Sequence, residues 1–177
     1  MSSSRKPHLR AAALCLAALS LTACGFTPLY GDNGTDDSVQ QRLGEVAVAN
    51  IPDRTGQLLR QSLQDQLQIA GAPTQELYLL SVSYNIGIQG IGVQADTSTT
   101  RDRFTATATW TLSPIGNPQA PLTQGQASTE DALNIIDQQY FQITLETNTI
   151  NQQLANEIAA QISTQVAAYF KTHPNAG

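Results

Sequence analysis

The run Arg103-Phe104-Thr105-Ala106-Thr107-Ala108-Thr109-Trp110-Thr111-Leu112 carries an apolar residue at every second position and threonine or arginine between them. Successive side chains on a strand point to opposite faces, so Phe104, Ala106, Ala108, Trp110 and Leu112 share one face. Arg103, Thr105, Thr107, Thr109 and Thr111 share the other. One face is a core and the other is a threonine ladder left to solvent or to a partner. The rest of the fold has to cover the first.

The segment upstream repeats the pattern. From Leu77 to Ile88, Tyr78, Leu80, Val82, Tyr84, Ile86 and Ile88 alternate with Leu79, Ser81, Ser83, Asn85 and Gly87, a strand in strict period two. Gly87, Gly90 and Gly92 then interrupt it. A glycine-rich run of this kind suits a phosphate-cradling loop only if Lys-Ser/Thr follows and a helix opens, and neither is present. The glycines read instead as a bulge or bend near a long hairpin, with Thr97 to Thr100 as its polar turn. Downstream, Ser113 to Pro121 holds three prolines and is a loop. Thr123 to Thr129 reads as a weaker fourth strand, and Glu130 to Asp137 is ambiguous.

Two helices flank these strands. Glu45 to Ile51 is a short strand with Val46 and Val48 on one face, closed by Pro52. The period then changes, and Leu59, Leu63, Leu67 and Ala70 form the apolar stripe of a helix over Thr55 to Ala70. Thr55 is its candidate N-cap, with Gly71 and Pro73 as stop signals. At the C-terminal end Ile150, Leu154, Ile158, Ile162, Val166 and Phe170 recur every four residues in a long helix that begins between Asp137 and Asn148. Its opposite face is amide rather than charged: Asn151, Gln152, Asn156, Gln161 and Gln165. His173-Pro174-Asn175 ends the helix, and 173–177 is expected to be a disordered tail. The order β-α-β-β-β-α predicts an α+β two-layer sandwich over 44–172, about four strands in a mixed or antiparallel sheet with two helices packed on one face.

Ahead of this domain, Leu21-Thr22-Ala23-Cys24-Gly25-Phe26 has the grammar of a bacterial lipobox. Arg5, Lys6 and Arg10 make a positive n-region, and Ala11 to Leu21 is an uncharged run too short to span a bilayer. A plain secretory signal wants a small residue at −3, where this chain has Leu21. The expected organisation is a signal peptide over 1–23, cleavage between Ala23 and Cys24, and a lipidated N-terminus and tether over 24–43. Cys24 would carry an N-acyl group and an S-diacylglycerol, and more than one acyl chain anchors a domain stably. Cys15 leaves with the signal, so no disulfide is possible. The loss of three basic residues and no acid moves the formal net charge from −5 to −8. Such an acidic domain is a poor candidate for nucleic acid.

With Cys24-Gly25-Phe26-Thr27-Pro28-Leu29-Tyr30 after the lipobox, Thr100-Arg101-Asp102-Arg103-Phe104 opening the Thr/Ala strand, and this element order, the chain resembles the LptE family of outer-membrane lipoproteins. The resemblance implies a non-enzymatic protein that plugs and helps assemble the LptD β-barrel and binds lipopolysaccharide through basic residues. Arg101 and Arg103 lie two apart and so share the threonine face, where a guanidinium pair can hold phosphate bidentately. The alternative makes them hairpin-end charges that solvate an edge or pair with Asp96 and Asp102. Thr105, Thr107, Thr109 and Thr111 are the candidate partner contacts. Gly25 rather than Asp after the lipidated cysteine favours, by the sorting habit of such lipoproteins, the periplasmic face of the outer membrane.

An enzyme reading finds little chemistry. Beyond the signal there is one histidine, His173, in a frayed end, and no His and Cys set of metal-ligand spacing. No cofactor is expected. A second class of reading is a lipid-anchored periplasmic module docking to peptidoglycan or another envelope complex. A barrel plug should be neutral and hydrogen-bonding on its exposed face, since unpaired buried charge is costly; a wall binder should show a pocket of convergent polar and aromatic groups. Only 13% of residues are charged, which suits the plug.

Overall fold

A computed structural model of the chain describes residues 35–68, 75–93, 99–134 and 140–174. The lipobox with Ala23 and Cys24, the Phe26–Tyr30 segment, the Gly71 and Pro73 stop signals and the first half of the expected turn at Thr97–Thr100 lie outside the described residues, and Thr99 and Thr100 belong to a strand instead. The elements are α1 (Thr35–Gly44), β1 (Val46–Val48), α2 (Asp53–Leu67), β2 (Tyr78–Val93), β3 (Thr99–Pro114), β4 (Thr123–Asn134) and α3 (Tyr140–Thr172). The four strands form one mixed sheet in the order β1-β2-β3-β4. β1 is parallel to β2, and the β2–β3 and β3–β4 pairs are antiparallel. This is the α+β sandwich that the periodicities predict, with one helix more.

The added helix, α1, stands within the stretch read from sequence as tether. Its composition is polar and its apolar period weak, so nothing local announces a helix. Tertiary packing makes it one: Val39 and Leu43 are buried, and α1 packs on α3. Arg42 fixes the contact. Its guanidinium donates to the His173 and Pro174 carbonyls at 2.8 and 3.3 Å and to the Tyr78 hydroxyl at 3.0 Å, and stacks over the Phe170 ring at 4.4 Å. Carbonyls at a helix C-terminus carry partial negative charge, so a cation there is favourable. His173 stacks on Tyr169 at 4.4 Å between ring centroids.

α2 begins two residues earlier than its candidate cap. Pro52, at φ −64 and ψ 165, occupies the N-cap position without a side-chain cap bond, and Thr55 lies inside the first turn. Asp53 follows at φ 68, a left-handed conformation that Asp tolerates better than most residues, and its carboxylate sits well at the positive helix end. Gly56 lets this turn close on Ile51, because a Cβ there would meet Ile51 Cγ2 at 2.7 Å and its backbone carbonyl at 3.1 Å.

The core lies between the helices and one sheet face. Leu154, Ile158, Ile162, Val166 and Phe170 of α3 are at most 1% exposed, and they meet Leu59, Leu63 and Leu67 of α2 and the inward residues of β3. Burial of such side chains contributes roughly 1.5–3 kcal/mol each. The polar flanks of α3 are also in use. On one side Ser62 Oγ donates to Asn156 Oδ1 at 2.7 Å, and Gln152 Nε2 donates to the same Asn156 oxygen at 3.1 Å. On the other side the Gln161 side chain accepts from Ser128 N–H at 3.2 Å and donates to Ser128 C=O at 3.1 Å. Gln165 donates to the Gln126 carbonyl at 3.0 Å and accepts from Trp110 Nε1 at 3.1 Å. Side-chain amides thus take the place of a fifth strand along the β4 edge. Gly125 makes room for them, since a Cβ there would meet the Trp110 ring and Gln165 Oε1 at 2.7 Å.

The amide face of the C-terminal helix therefore ties the domain together, with Gln152, Asn156, Gln161 and Gln165 all spent on internal bonds. Gln165→Ala should strip Trp110 Nε1 of its partner and cost about 1–3 kcal/mol, read as a fall in the thermal midpoint of the isolated domain. An unchanged midpoint would mean that the amide bond to Trp110 contributes nothing.

Candidate functional site

The sheet face away from the helices has an order set by register. Across β2, β3 and β4 the rows are Ser81–Thr111–Gln124, Ser83–Thr109–Gln126 and Asn85–Thr107–Ser128. Residues directly opposite share a face. All three rows are hydroxyl or amide, without a charge among them. Thr107 and Thr109 are exposed, and Thr105 and Thr111 are half-buried by their neighbours. The result is a flat, neutral surface dense in short donors and acceptors.

Charge begins at the fourth row. There Thr105 lies between Gly87 and Glu130, and beyond it Arg103 lies between Gln89 and Ala132. Thr105 Oγ1 donates to Glu130 Oε1 at 3.4 Å, and Arg103 Nε is 3.8 Å from Glu130 Oε2. Both side chains of that ion pair are about half exposed, at 45% and 59%, so it contributes under about 1 kcal/mol and yields readily to a stronger anion. Arg101 is exposed next to Gly92 and Asn134, and among the described residues no carboxylate pairs with it. Strand parity places Arg101 and Arg103 together at the hairpin end of the threonine face and puts Asp102 on the other face. Asp96 lies outside the described residues.

The glycines next to this pair act as the bulge reading requires. Register shifts fall between Gly90 and Gly92 and between Gly92 and Val93, with Ile91 unmatched on β3. An extra residue on one strand bends it and raises the local twist, which turns the hairpin end out of the plane of the ladder.

Two further features were not singled out from sequence. A depression of about 430 Å³ between β4 and α3 is lined by Glu130, Asp131, Gln153, Leu154, Asn156 and Glu157, and Thr129 Oγ1 donates to Glu157. Its acidic lining disfavours anions. On the helix side of β2, the Tyr84 hydroxyl is buried with no hydrogen-bond partner among the described residues. Burial pushes its pKa from 10.0 up to about 12. Periodicity assigned Tyr84 to the core face, but no sequence signal marks its hydroxyl as unpartnered.

A four-stranded sheet with helices on one face is a fold that solved bacterial lipoproteins share. A lipoprotein from Caulobacter crescentus has a similar structure, with TM-score 0.60 and 24% identity over 75% of this chain and 96% of that one. So has a minor lipoprotein from Acinetobacter baumannii, with TM-score 0.57 and 15% identity over 70% and 91%. The rare lipoprotein B from Shewanella oneidensis is similar at TM-score 0.56 and 7% identity over 73% and 97%. At these identities the likeness is one of fold. No curated protein matches in sequence. The family described as LptE, lipopolysaccharide-assembly, matches residues 43–166, and the chain belongs to it. Membership makes it a Gram-negative envelope lipoprotein of lipopolysaccharide assembly, in a family that is not enzymatic. None of the described helices is long and apolar enough to cross a membrane.

The unpartnered hydroxyl gives a signed expectation. Since the folded state holds the Tyr84 proton above pH 10 and the unfolded chain releases it, stability should fall from pH 10 to about pH 12 and then level. Tyr84→Phe should remove that share of the decline and leave stability at neutral pH equal or higher, because a buried hydroxyl without a partner is a cost. Denaturant midpoints of both proteins from pH 7 to 12 make the comparison, and parallel curves would contradict it.

Proposed function

We propose that this chain is a lipid-anchored outer-membrane lipoprotein that plugs and helps assemble an LptD-type β-barrel and binds lipopolysaccharide during its insertion into the outer leaflet. The observation that carries the reading is the LptE family match over residues 43–166. The geometry supports it. A plug faces a wall of backbone and polar side chains, and a surface such as the Ser/Thr/Asn/Gln rows enters that setting without burying an unpaired charge. Lipidation at Cys24, with cleavage after Ala23, would hold the domain at the periplasmic face of the outer membrane, and Gly25 suits that destination.

On this reading Thr105, Thr107, Thr109 and Thr111 make the wall contact and Arg101 with Arg103 meet the phosphates of the glycolipid. Glu130 is the competitor that a phosphate displaces from Arg103. Arg42 is committed to the end of α3, which leaves few other cations to share the task.

Affinity purification of the acylated chain from its envelope, followed by mass spectrometry, should bring down a large outer-membrane barrel in stoichiometric amount. Recovery of the chain alone or with wall fragments would remove the plug reading. Cys24→Ser should leave a soluble periplasmic form, and membrane recovery equal to wild type would contradict lipidation. Arg101→Ala with Arg103→Ala should weaken lipopolysaccharide binding roughly tenfold or more, given about 1.5–3 kcal/mol per charge-assisted bond, with little change in thermal midpoint. Unchanged binding would dismiss the arginine pair.

A further inference from the structure

The outer edge of β2 has two parts. β1 pairs with Tyr78, Leu79 and Leu80 only, and its line ends where Ala49 N–H donates to the Leu80 carbonyl at 2.9 Å. The N–H and C=O of one residue point to the same edge, and successive residues alternate edges. Val82, Tyr84, Ile86 and Ile88 therefore direct both backbone groups to the edge that Leu80 uses. Among the described residues no strand or side chain meets them there. The regular run from Val82 to Gln89 spans roughly 26 Å at 3.3 Å per residue and ends at the bulge.

Folded proteins block such edges with charge, proline or a covering element. The β4 edge is covered by Gln161 and Gln165 of α3. The β2 edge carries neither charge nor proline, as Ser81 to Val93 contains no Lys, Arg, Asp, Glu or Pro, and among the described residues no element covers it. Its helix-side stripe also runs out of cover along the strand. Tyr78 and Leu80 are buried, Val82, Tyr84 and Ile86 are half-buried, and Ile88 is 62% exposed.

We infer that the β2 edge from Val82 to Gln89 is a strand-addition site for an extended, uncharged segment of a partner polypeptide. The chemistry selects this occupant. Donors and acceptors that alternate at strand spacing are matched by another extended backbone, whereas an acyl chain would cover the apolar stripe and leave those groups unpaired. Apolar residues at alternate positions of the segment continue the stripe over the helix layer. A charged residue would be buried beside an edge with no counter-charge. The added strand prolongs the line of β1 beyond Val48. A closed barrel offers no edge, so from a barrel partner the segment is a loop or a strand not yet closed into the wall.

The inference rests on the reading that the chain works inside a protein complex. Its test uses the complex purified from the envelope, isotope-labelled in this chain, with amide exchange read residue by residue after quenching and dissociation. The Val82, Tyr84, Ile86 and Ile88 amides should exchange freely in the isolated chain and become protected in the complex. Ser83, Asn85 and Gly87 are bonded to β3 and should be protected in both states. Equal exchange of the even-numbered set in both states overturns the inference and leaves the complex intact as a finding. Protection in the isolated chain together with a dimeric mass also overturns it, since a second copy is then the occupant. If no polypeptide is recovered with the wild type, the proposed function fails and takes this inference with it. Ile86→Pro deletes one edge donor and no ladder bond, and Ile88→Lys guards the edge at a side chain already exposed. Each should cut the yield of complex roughly tenfold or more, as loss of a bond and an unpaired buried group imply, with the isolated chain still folded by circular dichroism. Undiminished yield with Ile88→Lys overturns the inference even if Ile86→Pro misfolds.

Discussion

The seating of α3 on the sheet is the constraint on which the rest depends. Its seam of Leu154, Ile158, Ile162, Val166 and Phe170 is dry and supplies most of the driving force, since each buried side chain is worth roughly 1.5–3 kcal/mol. The amides on its flanks are worth about 1 kcal/mol each, so they add less to stability than to position. Gln161 and Gln165 grip the backbone of β4 while Gln152 and Asn156 engage Ser62 of α2. A hydrophobic stripe alone leaves a helix free to slide by a turn. These bonds fix one register, and Gly125 has no side chain to obstruct it.

That placement decides what remains uncovered. α3 packs over β4 and β3, and α2 lies over β1 and against α3. Along the far half of β2 the inner stripe runs out of cover, with Ile88 62% exposed, and among the described residues nothing lies along its edge. Among the described residues, nothing covers the opposite face of the sheet. The domain closes one edge with its own amides and, among the described residues, leaves the other edge and a neutral face open. Membership in the LptE family supplies the setting in which such surfaces would be used.

Electrostatics sets one end of the threonine face apart. After residue 23 the chain carries only six Lys and Arg residues, and Arg42 is taken up by Tyr78, Phe170 and the last carbonyls of α3. The Glu130, Asp131 and Glu157 side of the molecule repels anions. Arg101 and Arg103 therefore stand out by position, at the end of the neutral ladder where the bulge bends the hairpin.

Much of this was legible in the sequence because it depends on local period. Alternation in Leu77–Ile88 and Arg103–Leu112 specified the strands and their buried faces, and the four-residue recurrence from Ile150 to Phe170 specified the helix and its dry side. Parity alone put both arginines on the threonine face. What only the tertiary structure decided involves partners remote along the chain. α1 folds because Val39 and Leu43 find α3 and Arg42 finds the His173 carbonyl, 131 residues away. The glutamines that composition offers as an outward face turn inward because the β4 edge passes beneath them. The uncovered β2 edge follows from β1 stopping at Val48, which no period in β2 itself records. Short-range spacing fixes which way a side chain points; only assembled elements fix what it meets.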